Sequence, residues 1–435
     1  MHGHYLEHTE LDMNCISGSG IRLIAMIFLF FATGSIAVSA TESAEPEKNR
    51  VYGADYSITP DISKGGAVVE LRISQNDGLL RELHMPYDDK TLSEIDGDGE
   101  ISIADGRIRW QPPADGGRLR WFATINHIRN NDTYDAYVGD DWGLFRAEDV
   151  IPPTATRTRP RSVSKTRMMF DLPESWSAVT EYFRRSNVFN VSNPDRRFDR
   201  PTGWIVLGEL GVRHETVAGV RVVVAAPVGQ DVRRLDILAM LNWTLPDIVR
   251  LLPDFPRRLT VVSAGEPMWR GGLSAPGSFY VHAERPLISE NGTSTIMHET
   301  IHIGLSTVAV DGADWITEGL AEYYGLDILR RSGTITEKRF RSARSQLDIW
   351  GKKAGTLCTD PSTGAVTARA VTLFAKLNDE IRKKSARKYD LDDALRRVAS
   401  SRSKISIQQL REIVADLAGS ESKVLSDKAV NNCEN

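Results

Sequence analysis

The sequence predicts an α+β protein, an antiparallel β-domain followed by a mixed domain whose C-terminal part is helical. Two observations carry this. Between Val51 and Ala226, short runs alternate apolar with polar residues and are separated by turn signals, the period-two pattern of half-buried strands. Beyond Glu318, apolar residues recur every three to four positions over long stretches, the period of amphipathic helices.

The chain opens on an address. Arg22 precedes an apolar run, Leu23 to Phe31, which weakens through Ala32 to Val38, and Val38-Ser39-Ala40 offers small residues for cleavage. Residues 1–40 therefore read as a secretory signal, which implies a secreted or periplasmic protein. Left uncleaved, the same run is an N-terminal anchor that tethers the chain to a membrane.

Residues 48–226 form the expected β-rich domain. Its clearest strands are Ala67 to Ile73, Glu100 to Ile103 and Arg118 to Phe122, with Val220 to Ala225 closing the region. Asp96-Gly97-Asp98-Gly99 reads as a hairpin turn rather than a calcium loop, because the remainder of a loop motif is missing.

Residues 227–420 form the second expected domain. Asp236 to Leu252 is a helix interrupted near Pro246, Arg258 to Val262 a strand, Gly271 to Gly277 a loop-edge segment, and Ser278 to His282 the next strand. Helices follow at Thr336 to Trp350, Val366 to Lys384, Asp390 to Ala399 and Ser406 to Leu417. Residues 421–435 are a tail.

With 54 basic and 58 acidic residues, a net charge of -4 and no long basic block, the chain is not built for nucleic acid. Of 3 cysteines, Cys15 falls in the signal region. Cys358 and Cys433 remain, either as one disulfide in an oxidising compartment or as two thiols. Nothing in the sequence signals an oligomeric state.

The chemistry concentrates at His298-Glu299-Thr300-Ile301-His302. On a helix, two histidines four residues apart share a face and both reach one zinc ion, with the glutamate between them placed to take a proton from water. Asn291-Gly292 turns the chain just before, and Thr293, Ser294 and Thr295 are candidate N-caps. A catalytic zinc takes a third protein ligand. Glu318, in Trp315-Ile316-Thr317-Glu318-Gly319, supplies a carboxylate on the next helix. Asp314 is the expected cap of that helix, with Arg330 and Arg331 in its last turn and Gly333 at its end. Glu322 lies one turn beyond Glu318, where it either supports a histidine ligand from behind or faces solvent.

H-E-x-x-H followed by W-x-x-E-G resembles the gluzincin metallopeptidases, and the chain is most similar to the glycyl aminopeptidase family, from about Pro227 to Gly419. The resemblance implies a thermolysin-like catalytic domain, Zn2+ held by His298, His302 and Glu318, Glu299 as general base, and a peptide or protein as substrate. It also implies that Tyr134 to Glu148 packs near the catalytic domain, the alternative being that its aromatics belong to the core. Related enzymes carry a G-G-L-E-type substrate-binding segment whose glutamate holds the free amine. Here Gly271-Gly272-Leu273 is retained but Ser274 follows, and Glu266 is the nearest upstream carboxylate. The tyrosine that steadies the oxyanion in relatives is Thr367 here, leaving Tyr323, Tyr324 or Tyr389 as substitutes. The implied activity is peptide hydrolysis without a strict requirement for a free N-terminus. The alternatives are a zinc-binding pseudo-peptidase with a structural or recognition role, and a zinc hydrolase of cell-wall peptides or amides.

Overall fold

Strand Arg50–Asp61 sits in the middle of a seven-stranded sheet because every second side chain is apolar: Tyr52, Ala54, Tyr56 and Ile58 are all buried. It pairs parallel with Ser162–Phe170 and antiparallel with Gly66–Ser74. A five-stranded and a four-stranded sheet complete the N-terminal part, in which every other pairing is antiparallel among the described residues. Their inward residues, Trp110, Trp121 and Phe145 among them, share one core. This computed structural model describes residues 49–430 apart from 131, 194, 195 and 402. The signal expected over residues 1–40 lies outside them, as does Cys433, which the sequence leaves either paired with Cys358 or free. Cys358 itself is disulfide-bonded.

A second five-stranded sheet runs in the order Leu210–Val217, Val220–Pro227, Arg258–Ala264, Ser278–His282 and Gly272–Ala275. Its three inner strands are parallel and its two outer ones antiparallel. Val220–Pro227 thus belongs to this sheet and not to the end of the β-region, where the sequence placed it. The reason is visible in its composition: Val222, Val224, Ala225 and Ala226 are buried on both faces, as an inner parallel strand requires. The Asp96–Gly99 turn also differs from expectation. Leu92–Gly97 and Glu100–Ala104 join different sheets, so the turn is a crossing between sheets. Asp98 is occupied there, accepting from the Arg118 backbone N–H at 2.9 Å.

Helix Arg234–Leu251 runs through Pro246 without a break. Leu241, Leu245 and Ile248, all fully buried, hold both sides of the proline against the sheet. The helical part follows as Glu337–Gly351, Ala365–Lys384, Leu391–Ala399 and Ile407–Ala418. Thr336, Asp390 and Ser406 cap three of these by accepting backbone N–H bonds. A third core joins the two regions: Trp142, Leu144, Trp204 and Val206 of the β-region pack on Ala225, Val262, Met268 and Tyr280. Tyr134 and Met268 form a backbone bridge across the same junction.

Candidate metal centre

The helix Thr295–Leu305 starts where Ser294 caps it, its hydroxyl accepting from the Met297 N–H. Ile296, Met297 and Ile301 anchor it in the core, which turns His298 and His302 outward together. The second helix, Asp314–Arg331, crosses close against it. A β-carbon at Gly325 would stand 3.3 Å from the His298 backbone nitrogen, so glycine permits the approach. Its C-terminal end is fixed by charge. Buried Asp327 accepts from Arg330 at 2.7 Å and from Arg331 at 2.6 Å, and Arg331 reaches Asp392 at 2.7 Å. The sequence expected Asp314 to cap this helix. Ala313 is the cap, and Asp314 is the first helical residue, its carboxylate accepting from the Ser362 N–H at 2.7 Å. Gly333 follows the last turn with φ 71°, as expected of a helix stop.

The two helices bring four predicted side chains together. His298 Nε2 lies 3.2 Å from one Glu318 oxygen, and His302 Nε2 lies 3.1 Å from the other. The two Nε2 atoms are 3.1 Å apart. His298, His302 and Glu318 form a group able to hold a metal ion. A tetrahedral zinc with bonds of about 2.0–2.1 Å separates its ligand atoms by about 3.3 Å, which is the spacing seen here. The tautomer fits as well. Glu322 lies 3.0 Å from His298 Nδ1; with that nitrogen donating its N–H, the lone pair of Nε2 faces the cluster. The alternative of a solvent-facing Glu322 does not hold.

Electrostatics couple the same groups in the absence of a metal. Burial alone would lower the His298 imidazole, but hydrogen bonds to Glu318 and Glu322 hold it well above its ordinary value. Burial would raise Glu318, yet the two histidines keep it far below the usual carboxylate range. Glu299, 6 % exposed, is pushed up by burial, against the opposing pull of His298 and His302.

Glu299 faces the edge strand Gly272–Ala275, whose Ser274 N–H donates to its carboxylate. A β-carbon at Gly272 would meet Thr295 at 2.3 Å and Glu299 at 3.2 Å, so this position too needs glycine. Gly271 precedes the strand and lies under the Trp269 ring, and the Leu273 carbonyl accepts from Trp204 Nε1 at 2.8 Å. Ser274 lines the same cleft as His302 and Glu318. Glu266 is not a substitute anchor there, being half exposed and paired with Arg270 at 2.9 Å.

Thr367, at the expected tyrosine position, and the three candidate substitutes all make contacts elsewhere. Thr367 donates to the Ser362 carbonyl at 3.1 Å, and Tyr324, fully buried, donates to Asp392 at 3.0 Å. Tyr323 lies edge-on to Tyr324 beneath Arg344, and Tyr389 packs on the helical core. What sequence reasoning missed is Glu181, from the β-region, which lines the cleft of about 990 Å³ that begins at His302 and Glu318. No motif surrounds it, and only the fold brings it there.

No protein-family model and no curated protein matches the sequence. Solved structures do. An aminopeptidase N family protein from Idiomarina loihiensis is similar at a TM-score of 0.59 and 15% identity, over 80% of this chain and 70% of its own. A mutant of an M1 zinc metallopeptidase from Deinococcus radiodurans is similar at 0.57 and 14%, over 89% of this chain and 95% of its own. The chain shares their fold. That shared fold is mixed α+β, with several largely antiparallel sheets ahead of a helical C-terminal part. Among the described residues no helix is long and apolar enough to cross a membrane.

Proposed function

We propose that the chain is a zinc-dependent peptidase in which His298, His302 and Glu318 hold the metal and Glu299 is the general base. The observation that carries this is the convergence of two imidazole nitrogens and a carboxylate at zinc-ligand spacing, with a separate buried carboxylate facing the adjoining edge strand. The resemblance in fold to an aminopeptidase N family protein and to an M1 zinc metallopeptidase adds weight. Bound zinc supplies Lewis acidity, polarising the scissile carbonyl and acidifying water. The chain's own residues do the rest. Glu299, its pKa raised by burial, accepts a proton from water and delivers it to the leaving amine nitrogen. The Ser274 N–H orients that carboxylate, and the edge strand offers backbone groups to an extended peptide. Glu322 holds the His298 ring in place.

A purely structural zinc needs no buried base, which argues against a pseudo-peptidase. The engagement of Thr367 and Tyr324 elsewhere favours slow turnover, since a missing oxyanion donor costs about a hundredfold or more. Peptides are the proposed substrates, and a secreted or periplasmic location follows from the signal-like N-terminus. The test is hydrolysis of a mixed peptide library by the purified chain: cleavage abolished by a chelator and restored by zinc supports the reading. Cleavage indifferent to chelation, or none at all, refutes it.

A further inference from the structure

The cleft that starts at the metal centre does not end at Ser274. It continues past the Pro276-Gly277 turn to a wall made by the β-region, where Glu181 and Phe183 face Arg258. Glu181 is placed tightly. A β-carbon at Gly277 would stand 2.0 Å from one of its carboxylate oxygens, and one at Gly203 2.9 Å from the other. The Thr202 hydroxyl donates to it at 3.0 Å. Burial pushes its carboxyl up to about 8, opposed by the Thr202 and Tyr182 hydroxyls, with Glu148 adding repulsion and Arg258 weak attraction. Its hydrogen bonds and the pull of Arg258 do not offset its burial. A further cation beside this carboxyl on the cleft wall is therefore favoured.

The direction of a bound peptide follows from the edge strand. Gly272–Ala275 pairs antiparallel with Ser278–His282, and antiparallel pairing is the commoner and slightly stronger mode for an added strand. A peptide added that way runs from Ala275 toward Gly272, so its N-terminal end points to the Pro276-Gly277 turn. With Glu299 as the base of the peptidase reading, the reacting carbonyl would stand level with Ser274, whose N–H holds that carboxylate. From that level to the turn is about two residues at ~3.4 Å each.

Resting on the peptidase reading above, we infer that Glu181 anchors the free N-terminal ammonium of the substrate, so that the enzyme releases dipeptides rather than single residues or internal fragments. The carboxylate missing at Ser274 is thereby supplied from the other region of the fold, displaced along the cleft. Glu181 is a binding and specificity residue and takes no part in the bond-breaking step.

The experiment uses the full chain carrying Glu299→Gln, which binds peptide without turning it over, and tetrapeptides in three forms: unmodified, N-acetylated and C-amidated. Calorimetry should show the unmodified peptide binding about ten- to hundredfold more tightly than its acetylated twin, the margin expected of a buried charge-assisted contact. Adding Glu181→Gln should erase that margin, with zinc content and a cooperative melting transition retained. With the wild type, mass spectrometry should find dipeptides as the first products. Equal binding of the twins, a margin that survives Glu181→Gln, release of single residues, or loss of affinity on C-amidation (the free carboxylate then meeting Arg258) would each overturn the inference. A wild type that hydrolyses nothing would refute the peptidase reading alone, because the binding comparison still decides what Glu181 does.

Discussion

Two carboxylates mark the two ends of one cleft, and their environments push them in opposite directions. Glu318 is largely buried, yet two imidazoles within 3.2 Å keep it far below the usual range. Glu181 is enclosed too, but the Thr202 and Tyr182 hydroxyls and the Arg258 charge do not offset its burial, and it rises to about 8. Burial is the largest influence on both, and the partner decides the sign. At one end two helices supply all three candidate ligands, and Glu322 holds the His298 ring. At the far end Arg258 does not bring the carboxyl back to its ordinary range.

The sharpest way to break this comparison is at Glu299, which serves the metal end without belonging to the cluster. Glu299→Gln should retain zinc and lower turnover by about a hundredfold to ten-thousandfold, because an amide cannot accept the water proton. Steady-state kinetics beside metal analysis would show it, and turnover equal to the wild type would mean that another base operates. Next comes the support of the ligand set. Glu322→Ala should weaken zinc binding by about ten- to a hundredfold, since His298 loses the partner at its Nδ1. A chelator-competition titration reads the change directly.

The far end should give the smallest effect, and its sign differs from that of most carboxylates. A carboxyl raised above its unfolded value contributes stability that is fully present below about pH 4.5 and lost as pH rises through about 8. Glu181→Gln removes that loss. The variant should melt higher than the wild type at pH 9, by a few degrees, with the gap closing toward pH 5. Melting curves across that range check it; a variant less stable at pH 9 would mean that the attraction of Arg258 outweighs the burial of Glu181.

The metal end was legible in the sequence because its geometry is local. A four-residue spacing places His298 and His302 on one helix face, and the same spacing puts Glu322 a turn beyond Glu318. The crossing of the two helices was not local, yet tryptophan, glutamate and glycine in Trp315 to Gly319 were enough to suggest the partner. The helices after residue 336 were readable from their apolar period, and Thr336, Asp390 and Ser406 mark their starts. The strand Val220–Pro227 was found but placed in the wrong sheet, since a run buried on both faces does not name its neighbours. Glu181 was invisible for a stronger reason. It meets the turn at Gly277 through the packing of two regions, and no spacing along the chain encodes that contact.

The central claim is that one zinc ion sits where His298 Nε2, His302 Nε2 and the Glu318 carboxylate converge. The most direct measurement is a crystal structure of the zinc-loaded protein with anomalous data collected on either side of the zinc absorption edge. A single strong peak at about 2.0–2.2 Å from all three side chains, absent in His302→Ala, is the predicted result. A folded protein that takes up no zinc under those conditions, or a peak coordinated by other residues, would contradict it.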